Sequence, residues 1–205
     1  MKPVLHTLSA AVLAVMASAS MASTTTYTSS GLFLPHLAAG SYTESFDGLS
    51  SPPSGTADFS SGGFAYTASA PTHGIYLDGG FLGSSQIDEA VNISFTSGNV
   101  KAIGANFFAT NISDEFQSVS LSLLLSDGTS ETFTPTSLAD SYRGFVSDAF
   151  ITSLTISGPG ASLYAGLDNL TVGTTPSRTN VPEPTSVLLA GLGLAAAFVT
   201  RRRAD

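Results

Sequence analysis

The chain has no cysteine and no tryptophan, and lysine and arginine together account for only seven of its 205 residues. Without cysteine there are no disulfides, no thiolate metal sites and no cysteine nucleophile. Charged residues make up 11%, against about 25% in an average soluble domain. Ser, Thr, Gly and Ala fill the gap, a composition that suits a β-rich exported domain better than a cytosolic enzyme. Positive charge is scarcest in the middle. Between residues 23 and 180 there are three basic residues (Lys101, Arg143 and Arg178) against thirteen acidic ones, a net charge of −10 with histidine neutral. Such a surface repels nucleic acid and anionic lipid headgroups, which excludes both as partners of the body. At this length one hydrophobic core, and hence one domain, is the economical expectation.

Both ends read as processing segments. Residues 1–22 hold one lysine, an apolar run from about Leu8 to Ala17, and small residues ending in Ala17-Ser18-Ala19 and Ser20-Met21-Ala22. This is the layout of a signal helix cut by signal peptidase, which implies export. At the other end, Val187 to Val199 carries no charge and is followed by Arg201, Arg202 and Arg203. A helix over residues 185–200 would extend roughly 24 Å at about 1.5 Å per residue. That is short of the hydrocarbon layer of about 30 Å, so it is expected to span as a short transmembrane helix with the arginines as a cytoplasmic membrane stop. Pro182 and Pro184 fix their own φ and disfavour helix in the residues before them, which leaves residues 181–184 extended at the membrane boundary.

The order of these features, Val181-Pro182-Glu183-Pro184, then a short apolar helix with Gly191 and Gly193, then the arginines, resembles the PEP-CTERM sorting signal of bacterial exported proteins. The resemblance covers residues 181–205. It implies that Pro182, Glu183 and Pro184 form the recognition motif of a membrane-embedded exosortase, which cleaves nearby. It also implies transit through an inner-membrane intermediate and release to the cell surface or extracellular matrix, in company with exopolysaccharide or biofilm.

Between the ends, long helical periodicity is missing and short alternating runs recur between turn residues. Val119 to Leu125, the Asp127-Gly128 turn and Thr132 to Thr134 read as a hairpin. Further strands are expected at 42–46, 64–67, 74–77, 91–96, 100–108, 142–146, 150–157 and 163–172, the last with a break near Gly166. Residues 48–63 have no periodicity and read as a Gly/Ser/Pro loop. About ten short strands predict an all-β fold, a single antiparallel β-sandwich or jelly roll over residues 23–173, with 174–180 as a linker.

Catalytic constellations are thin. His36 and His73 are the histidines of the body, neither stands with a Gly-x-Ser-x-Gly elbow, and there is no His-Glu-x-x-His helix. In Asp88-Glu89 and Asp114-Glu115 neighbouring side chains of an extended chain point to opposite faces, so these read as solvated loop acids rather than acid/base couples. The segments Tyr42 to Leu49 and Ala165 to Val172 are similar to the early and final strands of jelly-roll carbohydrate-binding modules, a resemblance that implies a structural calcium. Glu44, Asp47 and Asp168 with backbone carbonyls are its expected ligands, the alternative being that Asp168 and Asn169 merely cap a strand turn. Tyr27, Tyr42, Tyr66, Tyr76, Tyr142 and Tyr164 are the available sugar-stacking rings, although half-buried packing accounts for them as well. The sequons at Asn92, Asn111 and Asn169 read as accidental beside a bacterial-type tail. The expectation is a non-enzymatic surface or matrix protein with a structural or adhesive role. A calcium-dependent glycan-binding module and a secreted hydrolase stand as alternatives.

Overall fold

The computed structural model describes residues 23–176. The signal segment 1–22, the Pro182-Glu183-Pro184 motif, the helix expected at 185–200 and the three arginines lie outside the described residues. Within them are fourteen strands: β1 (Thr24–Tyr27), β2 (Tyr42–Glu44), β3 (Thr56–Ser61), β4 (Phe64–Ser69), β5 (Ile75–Tyr76), β6 (Leu82–Ser84), β7 (Val91–Phe95), β8 (Ala102–Thr110), β9 (Phe116–Gln117), β10 (Leu121–Leu125), β11 (Ser130–Phe133), β12 (Tyr142–Ser147), β13 (Ser153–Ile156) and β14 (Tyr164–Gly173). A single helical turn, α1 (Ser30–Phe33), and two 3₁₀ turns (Leu34–His36 and Leu138–Asp140) complete the described chain. No helix among the described residues is long and apolar enough to cross a membrane.

The strands form two antiparallel sheets packed face to face, the expected β-sandwich. One runs β1-β12-β8-β14-β6-β5, with β2 added to β14 and β9 to β8; the other runs β11-β10-β13-β7-β4-β3. The core follows from period-two alternation. On β8 the odd positions Ile103, Ala105, Phe107 and Ala109 face inward, and on β10 Leu121, Leu123 and Leu125 do the same. The Asp127-Gly128 hairpin forms as expected, with Leu121 opposite Phe133 and Leu124 opposite Ser130.

Three departures have physical reasons. Residues 56–61, read as loop, form β3 at a sheet edge. Only Phe59 of this strand is buried, so the hydrophobic signal is one residue, while the pairing from Thr56–Ser69 to Ser61–Phe64 comes from β4. The segment after β1, which the strand pattern assigns to no element, forms a helical turn: Ser29 caps α1, and Phe33 packs fully buried with Ala102 and Tyr142. In β14 the irregularity falls at Asp168-Asn169 rather than at Gly166. Leu167 and Leu170 both face the core, although three residues apart, and Asn169 takes φ +54° to absorb the extra residue.

The sheet containing β8 presents its other face outward, and that face is divided. At the β1 end it is covered: Phe33 is fully buried with Ala102 and Tyr142, and Tyr27, Leu37 and Val146 pack around them. At the β5–β6 end it is left open as a groove.

Candidate functional site

The groove starts from the even positions of β8. Alternation that sends Phe107 and Ala109 into the core sends Asn106, Phe108 and Thr110 outward. Register places Asn106 beside Asp168 and Phe108 beside Gly166 of β14, and Gly166 beside Gly83 of β6. The two glycines leave a flat shelf, and the ring of Phe81 occupies it. A Cβ added at Gly83 would stand 3.1 Å from Phe81 Cε2, and one at Gly166 would stand 3.3 Å from Phe81 Cδ2. Phe81 meets Phe108 edge-on with ring centroids 5.3 Å apart, and Tyr76 at 5.6 Å. Such pairs contribute about 0.5–1.5 kcal/mol beyond their buried area and fix the ring orientation.

Around this aromatic bed the walls are polar. The β14 bulge sends Asp168 and Asn169 both to the outer side. Asp168 Oδ1 accepts the Asn169 amide at 2.6 Å and Oδ2 accepts Asn169 Nδ2 at 2.8 Å. Burial raises the Asp168 carboxyl above its ordinary value; the Asn169 amide opposes this and the neighbouring Asp47 charge adds to it. On the far side Asp114 accepts the Tyr76 hydroxyl at 2.8 Å, a bond that together with burial raises the Tyr76 phenol. Asn111 holds that loop, its Oδ1 accepting the amides of Ser113 and Glu115. Asn106 Nδ2 donates to Leu138 O at 3.2 Å and to Ser141 Oγ at 3.1 Å, which seats the wall formed by Leu138 and Ala139. Asp140 stiffens this turn by accepting from Thr136 and Ser137; the Thr136 bonds come first in holding its carboxyl well below the usual range.

The hollow so enclosed is about 520 Å³ and open to solvent, in the size range of small-ligand sites. A smaller one of about 130 Å³ adjoins it, shares Phe81, Thr110 and Asp114, and adds Tyr76, Ile112 and Tyr164.

Several residues marked in the sequence lie elsewhere. The expected calcium ligands are not gathered into one cluster. Although β2 pairs with β14, so that Glu44 stands opposite Leu170, the Glu44 carboxylate is spent on the Tyr42 hydroxyl and the Phe46 amide. Asp47 and Asp168 are close enough to repel each other, but no group of three or more His, Cys, Asp or Glu is placed to hold a metal among the described residues. His36 packs on Tyr27 with ring centroids 4.7 Å apart. His73 pairs with Glu89 at 3.5 Å. Neither histidine lines the groove. Tyr66 and Tyr142 are buried, whereas Tyr76 and Tyr164 border the smaller hollow.

Most groove residues escaped sequence reasoning: Phe81, Asn106, Phe108 and Thr110 carry no motif. Two signals were present. Leu167 and Leu170 break the two-residue alternation of their strand, which marks a bulge, and Asn106 is a lone polar residue within the apolar run 102–109.

Residues 180–203 match the PEP-CTERM protein-sorting motif. No curated protein matches the chain. Among solved structures it is similar to an exo-β-1,3-galactanase from Phanerochaete chrysosporium, determined with galactose, at 18% identity and a TM-score of 0.29. That alignment covers 64% of this chain and 28% of the galactanase, so the chain spans less than a third of that enzyme's length. The sandwich is thus joined to a PEP-CTERM sorting signal, and the chain is an exported protein that an exosortase processes.

Proposed function

We propose that the protein is a non-enzymatic, adhesive component of the cell surface or extracellular matrix that holds extracellular polysaccharide in the groove over Phe81 and Phe108. The observation that carries this reading is the groove itself: an aromatic bed ringed by Asn106, Asp114 and Asp168. Sugars present apolar C–H faces to rings and hydroxyl donors to carboxylates and amides, so the two kinds of surface are complementary to one residue of a glycan. Against turnover stands the placement of His36 and His73 outside the groove, each engaged by Tyr27 or Glu89. Asp114 and Asp168 are likewise held by local hydrogen bonds, which suits acceptors better than a proton-shuttling pair.

The test is co-sedimentation of the purified protein with exopolysaccharide from the producing cells. Ala139→Trp fills the groove from an exposed rim position without touching the core, and is expected to abolish retention while leaving the melting temperature unchanged. Retention that survives this substitution would place the adhesive surface elsewhere. Retention lost on chelation would instead favour the calcium-dependent reading, and release of sugar from the polymer would make the protein a hydrolase.

A further inference from the structure

Building on the polysaccharide reading, we infer that the groove selects a sugar chain bearing free amino groups, such as a de-N-acetylated hexosamine polymer, and engages at least two consecutive residues of it. The first ground is the sign of the lining. Asp168 and Asp114 face the two hollows, and no Lys, Arg or His lines either. The basic side chains of the described residues are committed elsewhere. Arg143 pairs with Glu131 at 2.7 Å and lies over the Phe133 ring, Lys101 donates to Asp148 O and lies over Phe150, and the two histidines are held as above.

The second ground is burial. Asp168 is half-buried, its partners are the amide and side chain of one neutral asparagine, and the nearby Asp47 adds a second negative charge. A carboxylate so placed keeps an unmet demand for a cation, which water serves poorly once a ligand covers the groove. An ammonium group on the ligand answers that demand with a charge-assisted bond, whereas the carboxylate of a uronic acid would add a further negative charge. The parts of Phe81 and Phe108 that reach the hollow, 8% and 5% of each residue, add apolar contact beneath the sugar.

The third ground is extent. Phe81, Thr110 and Asp114 belong to both hollows, so Asp114 stands on the saddle between them, and Tyr76 and Tyr164 continue the aromatic surface beyond it. A monosaccharide fills the larger hollow only, while a chain crosses the saddle and brings a second amine past Asp114.

Isothermal titration of the purified protein at low salt tests this, using glucosamine as monomer, dimer and tetramer in β-1,4 and β-1,6 linkage, the N-acetylated tetramers, and tetragalacturonate. The glucosamine tetramer is expected to bind roughly ten- to hundredfold tighter than its acetylated counterpart, the gain of a bond to a charged partner. Dimer should exceed monomer, and tetragalacturonate should give no heat. Asp168→Asn and Asp114→Asn each should remove most of the amine advantage. Asp58→Asn, which changes the net charge equally on the opposite sheet, should leave it intact. Equal binding of acetylated and free tetramers, or an equal loss in Asp58→Asn, overturns the selectivity while leaving the polysaccharide reading standing. Absence of binding by every oligomer overturns the selectivity and leaves the polysaccharide reading to the co-sedimentation, whereas amine binding that survives Ala139→Trp overturns the placement of the ligand in the groove.

Discussion

Gly144→Ala isolates the contact that closes the covered half of the outer face. A Cβ at Gly144 would stand 2.6 Å from Phe33 Cδ2, 2.7 Å from Cγ and 2.9 Å from Cβ, and Phe33 is fully buried. Comfortable carbon–carbon separations are about 3.5–4.0 Å, so the ring must retreat by about 1 Å. It cannot do so by rotating, because its own Cβ is among the clashing atoms. The α1 turn must lift as a unit, with Ser29 still capping it. Overpacking of this kind costs about 1–3 kcal/mol. For a domain of this size each kcal/mol lowers the melting temperature by about 2–4 °C, so a loss of about 2–12 °C is expected by calorimetry. Phe33→Ala alone should cost about 3–5 kcal/mol through the cavity it leaves. With the ring removed, the two shortest approaches, to Cδ2 and Cγ, disappear and only the 2.9 Å approach to the Cβ that alanine retains is left, so the cost of Gly144→Ala should fall by more than half in the Phe33→Ala background. The double-mutant cycle then gives a coupling of about 0.5–3 kcal/mol, the share of the clash that the ring carries. A cost for Gly144→Ala that is the same in both backgrounds, to within about 0.5 kcal/mol, would refute the steric reasoning.

Asp127 ties three segments together, accepting from Thr24 of β1, the Thr129 amide of the hairpin turn and Ser147 of β12. Burial pushes its carboxyl up, but these bonds together outweigh it and hold the carboxyl below its ordinary value. A depressed folded value means that the stability it contributes is present above about pH 4 and is lost as pH falls through the folded value. Asp127→Asn should therefore lower stability at pH 7 by about 1 kcal/mol, a modest figure for a solvated group, and flatten the acid limb of the stability curve below pH 4. An unchanged acid limb would remove Asp127 from the linkage. Glu89 anchors the loop before β5, its carboxylate accepting the amides of Thr72 and His73 and pairing with the His73 ring. Glu89→Gln keeps the shape but weakens these bonds by about 1 kcal/mol, so exchange of the two amides should quicken about fivefold by NMR. Exchange at the original rate would mean that the loop is held by other contacts.

The all-β class was legible because alternation over Leu121, Leu123 and Leu125, and over Val91, Ile93 and Phe95, is local and strong. The edge strand β3 was not, since one buried phenylalanine makes no pattern. The groove was legible in only two of its parts. Asp168 stood out as an acid in the last strand and Asp114 as a loop acid, but nothing within either segment indicates that they border one hollow. They are brought together by pairing of β14 with β8 and by the turn at Asn111 that follows β8. Glu44 had an equal claim to be gathered with Asp47 and Asp168, yet its carboxylate turned to its own strand end, where a tyrosine hydroxyl and an amide two residues away were nearer partners.

Export and sorting belong to the sequence, because an exosortase reads a short linear motif whose chemistry does not wait for a fold. The sandwich class belongs to it too, since period-two patterning acts over a few neighbouring residues. The groove belongs to the tertiary structure. Gly83, Gly166, a bulge and Phe81, drawn from segments as far apart as residues 81 and 169, become a surface only when β6, β8 and β14 lie side by side. The register that aligns them is set by the whole inner core rather than by any motif.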